Sequence, residues 1–183
     1  MSQVIIPLAD GFEEVEATTN IDVLRRAEVE VTTVALDELQ VRGDHGIIME
    51  ADKNIEEVNA QKFEGIVLPG GMPGAANLRD DERVRSLVRK LNEQEKLVAA
   101  ICAAPIVLEE AGVLTDRPAT SYPGFEEQLS SCIYQQDRVV VDKNLVTGRG
   151  PGVALEFAIK LVEYLVGQEK AEEGQLMKVE QAH

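Results

Sequence analysis

One feature constrains this chain more than any other: short apolar runs closed by turn signals alternate with stretches of helical spacing. "QVIIPL" (3–8) leads to Asp10-Gly11, and "EVTTVA" (30–35) is rich in β-branched residues. "FEGIVLPGG" (63–71) stops on two glycines, and "KLVAAI" (96–101) stops on Cys102. Between these runs, "EEVEATTNIDVLRRA" (13–27) has acids in its first turn and arginines in its last, which suits the helix dipole. "DDERVRSLVRKLNEQ" (80–94) carries Val84, Leu87, Val88 and Leu91 on one stripe. "AAPIVLEEAG" (103–112) reads as a helix capped by Gly112. "GPGVALEFAIKLVEYLVG" (150–167) is a longer one, with Pro151 in its first turn and Gly167 as its stop. Strands alternating with helices in this way predict an α/β fold: a mostly parallel sheet with helices on both faces.

The remainder is less regular. "GIIMEA" (46–51) predicts a short strand near a sheet edge. "RVVVD" and "LVTG" predict two strands around Lys143-Asn144. Residues 168–183 read as a charged tail that frays. At 183 residues the whole chain, 1–183, is expected to form a single domain.

The formal net charge is -15, from 33 acidic and 18 basic residues. Such a field repels phosphate backbones and anionic membranes, so neither nucleic acid nor a membrane is expected as a partner. The two cysteines, Cys102 and Cys132, make no disulfide framework. The first residues lack the basic start of a secretory signal, and no run approaches the ~20 apolar residues of a membrane helix. A soluble, cytoplasmic protein is expected. His45 and His183 are the only histidines, and CxxC, HExxH and calcium-loop patterns are missing, so no metal site is expected.

In parallel sheets, ligand chemistry gathers beyond the carboxyl ends of the strands. That rule singles out Asp10-Gly11, "LPGG", Cys102 and "TGRGPG" (147–152). Cys102 falls on a strand-to-helix joint, the setting of a nucleophile elbow. Free N–H groups at a helix start stabilise a thiolate and lower its pKa. Ala103 and Ala104 leave the sulfur approachable. The local pattern fits a small buried hydrophobe equally well. Gly70 and Gly71 let backbone approach a ligand, and the N–H groups of Gly71 and Ala103 suit an oxyanion hole; a plain glycine turn is the other reading. Glu16 shares a helical stripe with Phe12, Thr19, Val23 and Ala27, so its carboxyl points inward, where burial raises its pKa. Glu13 and Glu14 read as solvated first-turn acids. Cys132 has neither helix start nor glycine joint beside it and reads as an ordinary thiol.

"ADGFEEVEA", "LPGG", "AAICAAP" and "GRGPG", in this order and spacing, resemble the DJ-1/ThiJ/PfpI superfamily and most of all its DJ-1-like branch. The resemblance runs from Val4 to about Lys170. It implies a flavodoxin-like sandwich, a homodimer and no cofactor. It implies Cys102 as the reactive elbow cysteine, Glu16 as its protonated partner, and Gly71 and Ala103 as oxyanion donors. Gly70, Tyr122 and Arg149 would line the substrate pocket, and Arg26 and His45 would lie near the dimer interface. Many relatives carry a histidine where this chain has Tyr122, and tyrosine, with a pKa near ~10, is a poor base. The protease branch has a histidine directly after the cysteine, where Ala103 stands, so a Cys–His hydrolase lacks its base. The resemblance implies a cofactor-independent glyoxalase or deglycase acting on methylglyoxal and glyoxal, free or as early adducts of amines and thiols. The other reading is an oxidative-stress sensor or redox-regulated chaperone, through oxidation of Cys102 to a sulfinate.

Overall fold

The computed structural model describes residues 2–173. In chain order the elements are β1 (Gln3–Leu8), α1 (Glu14–Arg26), β2 (Glu30–Ala35), β3 (Gln40–Arg42), β4 (Ile48–Glu50) and β5 (Lys53–Asn54). There follow β6 (Gly65–Leu68), α2 (Gly74–Asp80), α3 (Glu82–Glu93), β7 (Leu97–Ile101), α4 (Pro105–Glu110), β8 (Pro118–Ala119) and β9 (Ile133–Tyr134). The last are β10 (Val139–Asp142), β11 (Leu145–Gly148), α5 (Ala154–Val166) and α6 (Gln168–Glu173).

Seven strands form one sheet in the order β10-β11-β7-β6-β1-β2-β5. All neighbours run parallel except β10, which returns antiparallel on β11 through the Lys143-Asn144 turn. Strands β6 and β7 are buried along their whole length, which is why they read as continuous apolar runs rather than alternating ones. One core lies between the sheet and α2–α4, and holds Val84, Leu87, Val88 and Leu91 of α3. The other lies beneath α1 and α5, around Phe12, Leu24, Phe157 and Leu161. The α/β sandwich expected from the sequence is therefore the observed one. Among the described residues no helix is long and apolar enough to cross a membrane.

Three expectations are corrected. "GIIMEA" contributes β4, but β4 pairs with β3 in a separate two-stranded hairpin, and the main sheet ends on β5 beside β2 and on β10 at its other side. Ile48 is half exposed, so this run is not a core strand. Helix α2 was not expected, because its buried residues are only Gly74, Ala75 and Leu78, too few and too small for a helical period. The chain from 168 to 173 is helical rather than frayed, since Ala171 buries itself in the α1/α5 core. The rest of the charged tail, 174–183, lies outside the described residues.

Candidate active site

The four joints singled out by the sequence follow β1, β6, β7 and β11, which are neighbours in the sheet, so they meet at one end of it. Backbone bonds tie them together. Glu13 N–H donates to the Gly70 carbonyl (2.9 Å), and Cys102 N–H donates to the Gly148 carbonyl (2.9 Å). Cys102 has φ = +64°, the left-handed region that a side chain rarely adopts, and this sharp turn is the elbow. Its carbonyl accepts from Tyr122 N–H (2.9 Å) and the residue is partly exposed.

The N–H groups of Gly71 and Ala103 both donate to the Cys102 sulfur. These two donors stabilise negative charge there. Helix α4 has only six residues, so its dipole adds little. The expectation of a low thiol pKa is overturned. Burial and the neighbouring Glu16 carboxylate push the thiol upward, against the two backbone donors.

Glu16 lies in the first turn of α1 and has no solvent exposure, as its helical phase predicts. Its Oε2 accepts from Gly70 N–H at 2.7 Å. Its Oε1 is buried without a hydrogen-bond partner, and the Cys102 thiol lies beside the carboxyl. Burial pushes this carboxyl up to about 7, against the bonds from Gly70 and Cys102, and the charge of Glu13 adds to the rise. A carboxyl that titrates near neutrality beside a thiol makes a coupled pair in which one proton is shared.

The glycines have steric reasons. A Cβ on Gly70 would lie 2.6 Å from Cys102 Cβ and 2.7 Å from Glu16 Oε2, wedging the pair apart. Gly71 has φ = +87°, and a Cβ there would lie 2.4 Å from Glu13 N and 2.5 Å from the Gly11 carbonyl oxygen.

Around this centre, Tyr122 is 46% exposed and its ring packs against Gly150. Arg149 follows β11, its N–H bonded to the Arg138 carbonyl (2.9 Å), and its Nη1 is buried without a partner. Arg26 ends α1, roughly 15 Å along the helix from Glu16, and pairs with Asp22 at 2.8 Å. It is not brought to the thiol. Cys132 is half-buried, points at the Leu129 carbonyl (3.4 Å) and is held up by burial, as an ordinary thiol would be.

Glu14 is the second correction at this site. It is buried, not solvated. Its Oε1 accepts from His45 N–H (2.8 Å) and Ile47 N–H (3.3 Å), and its Oε2 lies 3.0 Å from His45 Nδ1. Burial opposes its charge, yet its own backbone and these partners hold it below the usual carboxylate range. Asn20, one turn beyond Glu16, is also buried and donates to the Glu16 carbonyl (2.8 Å). A cavity of about 570 Å³ lies near the ends of β1 and β2, lined by Asp10, Asp37, Glu38, Asp80 and Asp81 among others; neither Cys102 nor Glu16 reaches it.

An elbow cysteine, a buried acid and a glycine turn on a parallel sheet define a class of α/β cysteine protein. The profile of the DJ-1/PfpI family matches residues 2–164, and the chain belongs to that family. It is 41% identical to the protein dj-1beta of Drosophila melanogaster over 92% of either chain. It is 36% identical to a protein of Pyrococcus abyssi named as a deglycase, over 89% of this chain and 99% of that one. DJ-1 homolog B of Arabidopsis thaliana is 41% identical over 93% of this chain, which spans only 40% of that relative's length. Among solved structures, oxidized DJ-1 of Toxoplasma gondii superposes with a TM-score of 0.93 at 38% identity, over 98% of both chains.

Proposed function

We propose that this chain is a cofactor-independent glyoxalase or deglycase, with Cys102 as nucleophile and Glu16 as proton shuttle. The observation that carries this reading is the buried Glu16 carboxyl, with a pKa of about 7, against the elbow thiol. It supplies a proton acceptor where a Cys–His enzyme would have its histidine. The Cys102 thiol yields its proton to the Glu16 carboxylate, and the sulfur adds to the aldehyde carbon of methylglyoxal. A C–S bond forms, and the carbonyl π electrons become an alkoxide held by the Gly71 and Ala103 N–H groups. Once that oxygen is protonated the adduct is a hemithioacetal. Glu16 takes the proton from this carbon and returns one to the neighbouring carbon, leaving a hydroxyacyl thioester. Water then cleaves the C–S bond, releasing lactate and restoring the thiol. The oxidation of one carbon is matched by reduction of its neighbour, so no external oxidant is required. Gly70, Tyr122 and Arg149 line the approach to the sulfur in this reading. The same addition acts on early dicarbonyl adducts of amines and thiols, and the deglycase name of the Pyrococcus relative supports it.

The test is lactate formed from methylglyoxal by the freshly reduced protein, Cys102→Ser, Glu16→Gln and Cys132→Ser at equal concentration. Activity lost in the first two variants and kept in the third is expected. No lactate from the unsubstituted protein sinks the dicarbonyl reading. The second reading, oxidation of Cys102 to a stress signal, is favoured by its partial exposure and by the relative solved in an oxidized form. We also propose a homodimer, with Arg26 and His45 near its interface. Val15, Ile47 and Ile48, each about half exposed, give that side an apolar face. Sedimentation at micromolar concentration is expected to give twice the 20.0 kDa chain mass; a monomer contradicts it.

A further inference from the structure

We infer that Met72 and Tyr122 form a recognition subsite for an aromatic group on the electrophile that Cys102 attacks, which makes aryl 2-oxoaldehydes such as phenylglyoxal the preferred substrates. The inference names the substrate class of the proposed activity and rests on the reading of Cys102 as nucleophile. Strand β7, which leads into Cys102, lies between β6 and β11 in the sheet. Met72 stands on the β6 side, directly after Gly71, whose N–H donates to the sulfur. Tyr122 stands on the β11 side. Its N–H donates to the Cys102 carbonyl (2.9 Å), and its ring covers Gly150, just past the Gly148 carbonyl that accepts from Cys102 N–H. The elbow is therefore flanked by two large apolar side chains that are 44% and 46% exposed.

Single exposed apolar side chains are ordinary on a protein surface. This pair differs by its place, on either side of a partly exposed nucleophile. Small-molecule sites are lined by apolar and aromatic groups around a few fixed polar ones. Here the fixed polar groups are the N–H groups of Gly71 and Ala103 and the Glu16 carboxyl. Tyr122 is held before any ligand arrives. Its backbone is bonded to Cys102, and a Cβ on Gly150 would lie 2.9 Å from its Cδ2, so only glycine lets the ring rest there. Met72 is unbranched, so it can close over ligands of different shape, and its sulfur makes favourable contacts with ring edges. With the aldehyde carbon on the sulfur and its oxygen on the two N–H groups, the substituent of the neighbouring carbon projects toward the mouth. A methyl group fills little of that space. A phenyl group meets the Tyr122 ring in offset or edge-to-face contact. The bond changes are those given for methylglyoxal, and the product is mandelate. Tyr122 thus has a use that does not depend on its being a base.

The test measures two ratios in a Cys132→Ser background. The first is the rate of Cys102 reaction with N-phenylmaleimide over that with N-methylmaleimide, each divided by the rate with glutathione. The second is kcat/KM for mandelate from phenylglyoxal over kcat/KM for lactate from methylglyoxal. The first ratio should favour the aromatic reagent by about tenfold. Tyr122→Ala and Met72→Ala should each lower both ratios about threefold or more, and Tyr122→Phe should keep them, since the ring and not the hydroxyl makes the contact. An unaltered melting temperature verifies the fold of each variant. The inference is overturned by a maleimide ratio equal to that of the free thiol, or by ratios that neither alanine variant lowers. Formation of neither hydroxy acid, with the maleimide preference retained, sinks the glyoxalase reading and its substrate while the aromatic subsite stands.

Discussion

Glu16 is a carboxyl group with no contact with water, and its ionised form is supported by one backbone N–H and one thiol. The consequence for stability has a definite sign. In the unfolded chain the group titrates at its ordinary value of 4.5, and in the folded chain at about 7. Below the lower value it is protonated in both states and imposes no penalty. Between the two values the folded state holds a proton that the unfolded state has lost, so stability falls as pH rises, and above about 7 the loss is complete. At about 1.4 kcal/mol per pH unit, the difference is about 3 kcal/mol. Urea unfolding at pH 5 and pH 8 should therefore show a stability drop in the unsubstituted protein that is smaller by about that amount in Glu16→Gln. An equal drop in both proteins contradicts the assignment. Glu16 was legible in the sequence because helical phase alone decides which way it points. Glu14 was not, because the groups that bury it, His45 and Ile47, lie 31 and 33 residues away and arrive only with the hairpin.

Among the elements, those that pack on both faces were legible. Strands β1, β2, β6, β7 and β11 are nearly all buried, and burial on both sides leaves an unbroken apolar run in the sequence. The elements missed or misplaced lack that mark: β3, β5, β8 and β9 run only two or three residues, β4 is half-exposed, and α2 has small residues in place of a stripe. Helix α4 was recognised, but its six residues do not form the strong dipole assumed for the thiol. The joint between β6 and α2 carries that burden through the Gly71 N–H. Gly71→Ala should destabilise the fold by about 2–4 kcal/mol, because it combines a positive φ with contacts to backbone that cannot retreat. Gly70→Ala should differ in kind. Its methyl group enters between Cys102 and Glu16, so thiol reactivity and lactate formation should fall more than the urea midpoint does. Equal effects of the two variants on stability and activity would remove the distinction.

The whole molecule brings four strand ends to one place, and no stretch of local sequence contains that convergence. Order and spacing of the motifs nonetheless identified the family, because each motif sits at a strand end that the parallel sheet places beside the next. The result is a single buried acid facing a single elbow thiol, with the N–H groups of Gly71 and Ala103 on the sulfur. The direct measurement is the rate of Cys102 alkylation by iodoacetamide between pH 5 and pH 10, in a Cys132→Ser background, with and without Glu16→Gln. The Glu16 carboxylate opposes a second negative charge on the sulfur, so the thiol of the pair ionises less readily than it would alone. The rate should therefore rise through a higher midpoint with Glu16 present than with glutamine in its place. An unchanged or higher midpoint in Glu16→Gln would contradict the claim that the Glu16 carboxyl and the Cys102 thiol form one coupled pair.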